Sequence, residues 1–259
     1  MIATHEWGER GSPLVVCLHG VTSHGRHFAP LATTLADRFH VVALDLRGHG
    51  DSLREPPWNI EQHVDDVIDA LQLAGLADEP CRWIGHSFGG RIAFELAAAA
   101  PELVARLVLL DPVIQIRPEI GLYGAERSRV DRSYASFEEA IDRRFEESAL
   151  MRAPRELLET ELREHLVVDE DGHWRYRFTQ SAVVAAYGEM SREPPPFELV
   201  LVPTLLVLGE ESYLPYDDLI DAHVAALGDE LEVVRVPGGH TVLWDALDET
   251  AAAVELFLG

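Results

Sequence analysis

The sequence predicts an α/β protein built on a mostly parallel sheet with helices on both faces, and three observations carry that expectation. Short apolar runs without polar alternation recur along the chain: LVVCL (14–18), VVALDL (41–46), RWIG (82–85), LVLLD (107–111), TLLVLG (204–209) and LEVVRV (231–236). Such runs are expected of strands buried on both faces. Helical periodicity lies between them, and alternating strands and helices connect by right-handed crossovers that place helices on both sides of the sheet. The length, 259 residues, suits one large domain or a domain carrying an insertion.

Each element has its own justification in chain order. LVVCL and CRWIG contain the only cysteines, Cys17 and Cys81, which read as small buried hydrophobes rather than as a disulfide or a metal site. In 60–74 the apolar residues Ile60, Val64, Val67, Ile68 and Leu71 form one stripe of a helix. The alanine-rich segment 89–105 reads as a second helix that ends at Pro101. Between LVLLDP (107–112) and VPTLLVLG (202–209) no comparable strand occurs. That interval offers charged, helix-like segments at 136–152 and 154–166, then VVDEDGHWRYRF (167–178), whose Asp171-Gly172 pair predicts a small hairpin. Pro194-Pro195-Pro196 forces an extended path back to the remaining strands. We read 1–112 and 198–259 as the core and 113–197 as an inserted helical cap that roofs a pocket. The tail, 241–258, reads as an amphipathic helix.

Composition narrows the function. There are 45 Asp and Glu against 21 basic residues, all of them arginine, and the net charge is −24. Such a surface repels polyanions, so nucleic acid and anionic membranes are not expected as partners. The N-terminus lacks a basic segment followed by an apolar stretch, and no run of about 18 apolar residues suggests a membrane span. A cytoplasmic location is the expectation that follows. High salt or simple solubility would each account for the carboxylate excess, and oligomeric state is not legible.

Chemistry enters at Gly85-His86-Ser87-Phe88-Gly89, a G-x-S-x-G with a strand running in and a helix running out. A strand-to-helix turn this sharp exposes the serine oxygen above the sheet edge and aims the helix's free N–H groups at whatever binds there. Ser87 is therefore the candidate nucleophile. His19-Gly20, directly after LVVCL, offers a second turn that points the Val21 N–H into the crevice of the Phe88 N–H. Two such donors would stabilise an oxyanion.

HGVTSHG (19–25), DLRGHGDS (45–52), GHSFGG (85–90) and GGH (238–240), in this order and spacing, resemble the α/β-hydrolase superfamily. Within it the chain looks most like capped carboxylesterases and related carbon–carbon bond hydrolases. The resemblance implies that DLRGHGDS is structural, so Asp45, Arg47 and His49 carry no chemistry. The fold places nucleophile, acid and base in that succession. After Ser87 the histidines are His165, His173, His223 and His240. The first two lie in the expected cap and His223 in a helical stretch, whereas His240 follows a strand through Gly238-Gly239 and is the expected base. His86 reads as a packed elbow residue, and His24 and His27 as rim or loop groups.

The sequence leaves the acid open. The superfamily most often carries it in a G-x-x-D pattern after the strand before the last, but here Gly209 is followed by Glu210, Glu211 and Ser212. Asp111, which closes LVLLDP, is the preferred candidate, because a desolvated aspartate there needs a partner such as the His240 ring. Glu211 and Glu210 remain the alternatives. Trp174, Tyr187 and Tyr213 are candidates to line a pocket, and Arg175 or Arg177 to pair with a substrate carboxylate. No cofactor and no metal are expected, since neither a compact zinc-ligand spacing nor G-x-G-x-x-G occurs. The expected activity is hydrolysis of a small carboxylic ester, lactone or thioester through an acyl-enzyme. Carbon–carbon bond hydrolysis, cofactor-free peroxidase or oxygenase chemistry, and a weakly catalytic sensor are the alternatives.

Overall fold

The computed structural model describes residues 1–77, 79–130, 132–147 and 152–259. In chain order the first half contains β1 (Thr4–Trp7), β2 (Leu14–Leu18), α1 (Ala29–Leu35), β3 (His40–Leu44), α2 (Ile60–Leu73), β4 (Cys81–His86), α3 (Phe88–Ala99) and β5 (Val104–Leu110). An interval follows with α4 (Pro118–Ser128), β6 (Ser133–Tyr134), α5 (Phe137–Glu147), α6 (Arg155–His165), β7 (Leu166–Val168), β8 (Trp174–Tyr176) and α7 (Gln180–Glu189). The chain closes with β9 (Thr204–Gly209), α8 (Asp217–Leu227), β10 (Leu231–Val236), α9 (Val242–Asp245) and α10 (Leu247–Leu258).

Seven strands form one sheet in the order β1-β3-β2-β4-β5-β9-β10, parallel throughout except for β1, which runs antiparallel to β3. The apolar runs are these strands. β1 went unseen in the sequence because four residues at a sheet edge alternate in exposure and carry no apolar run. LEVVRV departs from the expectation of burial on both faces: Glu232, Val233 and Arg235 of β10 are exposed, since β10 is an edge strand that pairs on one side with β9.

Helices cover both faces. α2 and α3 share one apolar cluster with Val16, Leu18, Val42 and Trp83, and α1 and α10 share the other with Val15, Cys17, Val41 and Val108. This split follows from the alternation of side chains along each strand. α3 is buried nearly all round, with Phe88, Ile92, Ala93, Phe94, Leu96 and Ala97 inaccessible. Each large apolar side chain so buried contributes about 1.5–3 kcal/mol. Both cysteines are buried and free, and burial pushes the Cys81 thiol up to about 11.

In the interval the hairpin expected at Asp171-Gly172 forms between β7 and β8, and β6 joins as a third strand too short to be seen in the sequence. The helix expected over 136–152 is α5, and positions 148–151 lie outside the described residues. The expected tail helix is broken at Ala246 into α9 and α10. The interval is fastened to the sheet region by backbone bonds from Gly50 N–H to the Arg177 carbonyl (2.7 Å) and from Thr179 N–H to the Gly48 carbonyl (2.6 Å). Arg91, fully buried in α3, adds a second tie. Its guanidinium donates to the carbonyls of Ile114, Arg192 (3.2 Å) and Glu193 (3.0 Å), while Glu95 balances its charge at 2.6 Å. Five fixed donors suit arginine to this work.

Candidate active site

Strand order assembles the site. β4, β5, β9 and β10 are successive neighbours and parallel, so the residues that leave their C-terminal ends converge on one edge. Ser87 follows β4, Asp111 follows β5, and His240 follows β10 with Asp111 between them. The His240 Nε2 lies 2.9 Å from the Ser87 Oγ, and the His240 Nδ1 lies 2.6 Å from Asp111 Oδ2. A carboxylate only accepts, so Nδ1 carries the proton and Nε2 is left with the lone pair facing the hydroxyl.

Backbone strain marks both oxygen-bearing residues. Ser87 has φ +53° and Asp111 φ +44°, the left-handed region that non-glycine residues rarely occupy. Neighbouring glycine makes the serine turn possible: a Cβ on Gly89 would collide with the Leu18 carbonyl oxygen of β2. The Ser87 carbonyl accepts from Gly90 (3.0 Å) and Val113 (3.1 Å), which fixes the turn from the helix side and from the strand beyond. Phe88 is the first residue of α3, where an N–H has no partner within the helix.

Asp111 is inaccessible to solvent and saturated with donors. Its Oδ1 accepts from the Gly209 N–H at 2.8 Å, and its Oδ2 accepts from the Ser212 hydroxyl at 2.7 Å as well as from His240. Three donors offset the cost of burying the charge. Ser212 stands where the G-x-x-D pattern would place an aspartate, and its hydroxyl supports the carboxylate that comes from β5 instead. Tyr216 lies 3.3 Å from that hydroxyl; burial, and then the Asp111 charge, push its phenol far up. Glu210 and Glu211 are both exposed, and Glu211 pairs with Arg152 at 2.8 Å. The structure thus brings Asp111, and neither glutamate, to His240.

A residue that sequence reasoning did not single out, Asp245, holds the histidine loop. Its carboxylate accepts from the Gly239 N–H (2.8 Å) and from the amides of Arg152 (2.8 Å) and Ala153 (2.9 Å), joining the loop to the interval. Gly238 has φ +100°, and a Cβ there would strike the Asp245 side chain. His86 Nε2 donates to the His240 carbonyl at 3.0 Å, so the expected packed elbow residue also positions the loop. Burial, then the nearby His240, hold the His86 ring down to about 3.

On the other side, His19 crosslinks the Val21 turn. Its Nδ1 donates to the Gly20 carbonyl at 2.8 Å and its Nε2 accepts from the Leu46 N–H at 2.9 Å. His49 lies 2.8 Å from the Val21 carbonyl, and Arg47 is clamped by both oxygens of Asp66. Asp45 accepts from the amides of Gly25 (2.7 Å) and Asp51 (2.9 Å). Although burial opposes it, bonds from His5 and Gly25 bring the Asp45 carboxyl down to about 2. DLRGHGDS thus serves as a brace beneath the Val21 turn. His24 and His27 belong to the same loop, but both are buried rather than at a rim, and His27 packs against Trp244 and His86.

A cleft of about 760 Å³ opens beside Asp111, starting at Pro112 and lined by Val113, Ile116, Phe197, Tyr213 and Leu219. Tyr213 reaches it from the site, its ring centroid 5.2 Å from that of His240. The other aromatic candidates lie elsewhere: Trp174 packs on Phe137 in the interval, and the Tyr187 ring lies against Gly124 of α4. Arg175 is held within the interval by Asp169 and Asp171, and Arg177 ties the interval to Asp51 of the loop after β3, so both arginines already have carboxylate partners.

A parallel sheet carrying a hydroxyl, an imidazole and a buried carboxylate in hydrogen-bond succession at its C-terminal edge defines a hydrolase enzyme. The chain belongs to the alpha/beta hydrolase family, whose model matches residues 15–253. It is 33% identical over 260 residues to the lipase LipV of Mycobacterium tuberculosis, covering 98% of this chain and 96% of that protein. It is 32% identical over 235 residues to the 2-(acetamidomethylene)succinate hydrolase of Mesorhizobium japonicum, covering 89% and 82%. Among solved structures it resembles an E-2-(acetamidomethylene)succinate hydrolase, with a TM-score of 0.85 at 24% identity over 99% of this chain and 94% of that one. It also resembles a thioesterase domain from the curacin biosynthetic pathway, with a TM-score of 0.80 at 22% identity and the same coverage. These two likenesses show the shared fold. No helix among the described residues is long and apolar enough to cross a membrane.

Proposed function

We propose that the chain is a serine esterase that cleaves small carboxylic esters with an apolar acyl or alcohol part through an acyl-enzyme. The observation that carries this reading is the unbroken hydrogen-bond chain Ser87–His240–Asp111. Ser87 Oγ attacks the acyl carbonyl carbon while its proton passes to His240 Nε2, and Asp111 stabilises the resulting imidazolium. The amides of Val21 and Phe88 hold the developing oxyanion. When the bond from carbonyl carbon to alcohol oxygen breaks, His240 returns its proton to the alcohol. Water then attacks the acyl-enzyme by the same steps and frees Ser87.

Residues 113–197 act in this reading as a cap over the site. The cleft between Pro112 and Leu219 takes the apolar part of the substrate, with Tyr213 on the side nearer His240. The name of LipV, a lipase similar to this chain over nearly its whole length, favours the same substrate class. A panel of p-nitrophenyl esters of increasing acyl length tests the proposal on wild type and Ser87→Ala. Wild type should hydrolyse short and medium chains, and the variant should lose about 10⁶ in turnover. Equal hydrolysis by both proteins would remove Ser87 from the mechanism.

A further inference from the structure

We propose that His24, Glu161 and His165 form a binding site for a divalent transition-metal ion of the zinc class, set between the loop after β2 and helix α6. The site is distinct from the Ser87–His240–Asp111 group and does not depend on the esterase reading. Glu161 and His165 are four apart on α6 and so share a face, and His24 comes to them from a loop 137 residues earlier in the chain. Each residue offers one ligand atom, and these atoms all lie within 4.8 Å of one another.

The spacing suits a metal. His165 Nδ1 and His24 Nε2 lie 3.2 and 3.5 Å from the same oxygen, Glu161 Oε1. Tetrahedral zinc with bonds of about 2.0–2.1 Å sets its ligand atoms about 3.3 Å apart, so two edges are already at length. The third edge, between the two imidazoles, is no longer than 4.8 Å and shortens when the ion binds. Ring contacts steady both imidazoles, since those of His24 and His165 are 4.4 Å apart between centroids, and Tyr176 meets His165 edge-on at 4.9 Å.

The second observation is what the cluster leaves unsatisfied. All three side chains are at least 95% buried, yet His24 Nε2, itself a ligand atom, and Glu161 Oε2, the second oxygen of the ligating carboxylate, have no hydrogen-bond partner. Two orphaned polar atoms on the ligating groups of one buried cluster are costly unless something binds there. Arg144 bears on the same carboxylate from a distance but leaves those atoms without a bond. A crevice with a volume of about 10 Å³, bounded by His24, His165, Asp45 and Arg177, adjoins the cluster and has room for about one water as a fourth ligand. Two imidazoles and one carboxylate favour zinc, cobalt or nickel over magnesium or calcium. The ion would tie α6 of the interval to the loop that carries the Val21 turn, where an Arg26–Glu164 pair at 3.6 Å already bridges the same elements.

The test uses the full chain, free of tag, stripped with chelator and titrated with Co²⁺ while visible absorption is followed. One equivalent should saturate an intense band of four- or five-coordinate cobalt, Zn²⁺ should displace it, and Mg²⁺ should not. Zn²⁺ at a hundredfold excess over its Kd should raise the Tm by roughly 5–10 °C. Glu161→Gln and His24→Asn should each abolish both signals while keeping the circular dichroism of the wild type, and His240→Gln should leave both intact. His24 lies on a loop, so its variant decides the matter if Glu161→Gln does not fold. The proposal is overturned if no saturable one-to-one binding occurs. It is equally overturned if the signals survive loss of His24 or Glu161, or vanish with His240, which would place the ion at the Ser87 site.

Discussion

Replacing Asp111 by asparagine separates catalysis from stability, because the carboxylate receives three donors and an amide can accept only on one side. Placed with its nitrogen at the Oδ1 position, the amide turns an N–H₂ toward the Gly209 N–H, donor against donor. That arrangement leaves a buried N–H unpaired, at a cost of about 1–3 kcal/mol. Placed with its nitrogen at Oδ2, the amide keeps the Gly209 bond at 2.8 Å, and the Ser212 hydroxyl can rotate to accept. The second orientation is therefore favoured, but its N–H₂ faces His240 Nδ1 at the 2.6 Å contact. The imidazole proton must then sit on Nε2, which faces Ser87 and can no longer take its proton. Turnover should fall about 10⁴-fold, equivalent to about 5.5 kcal/mol of barrier, with KM nearly unchanged and stability within about 3 kcal/mol of wild type. Steady-state kinetics on a p-nitrophenyl ester and a urea melt measure the two effects. Glu211→Gln, which breaks only an exposed pair with Arg152, should leave turnover within about twofold. Asp111 is not the acid if Asp111→Asn keeps more than a tenth of wild-type turnover, or if Glu211→Gln loses about 10⁴-fold.

Two further outcomes follow from the same geometry. Asp245→Ala removes the acceptor that joins the Gly239, Arg152 and Ala153 amides, so turnover should drop roughly tenfold or more and the Tm should fall, and equal kinetics at an equal Tm would contradict this. His63, 2% exposed and edge-on to Phe88, is held at about 3 by burial and then by nearby His49. Its folded value lies below the unfolded one, so the unfolded chain binds the extra proton between about pH 6.5 and 3, and stability is lost as pH falls through that window. Between pH 7 and 5 this residue alone should account for about 2 kcal/mol of lost stability. Urea melts of His63→Phe at both pH values should show that much less pH dependence, and an unchanged dependence would refute the assignment.

Much of the fold was legible because buried parallel strands write themselves as apolar runs, and β2, β9 and the core of β4 and β5 fall where those runs lie. Edges are written faintly. β1 alternates over four residues, β6 spans two, and β10 looks buried in sequence but is exposed on much of its surface. Ser87 and His240 were readable from local context, since a turn with a glycine on each side announces itself. The acid was not settled by sequence, because Asp111 leaves β5 and Glu211 leaves β9, both strands lie between β4 and β10, and only the path of the chain beyond each strand end decides which carboxylate meets His240. Ser212 explains the missing aspartate only once its hydroxyl is seen on Asp111. Asp245 and the His24–Glu161–His165 cluster were invisible for a plainer reason: their partners are distant in the chain, and no local pattern records such meetings.

The most direct measurement of the central claim is the mass of the intact protein after brief exposure to diethyl p-nitrophenyl phosphate, followed by peptide mapping. An activated serine attacks the phosphorus and releases p-nitrophenol. The account predicts a single diethylphosphoryl adduct on Ser87, absent from Ser87→Ala and slowed at least a thousandfold in Asp111→Asn. An adduct on any other residue, or equal labelling of the Ser87→Ala protein, would contradict it.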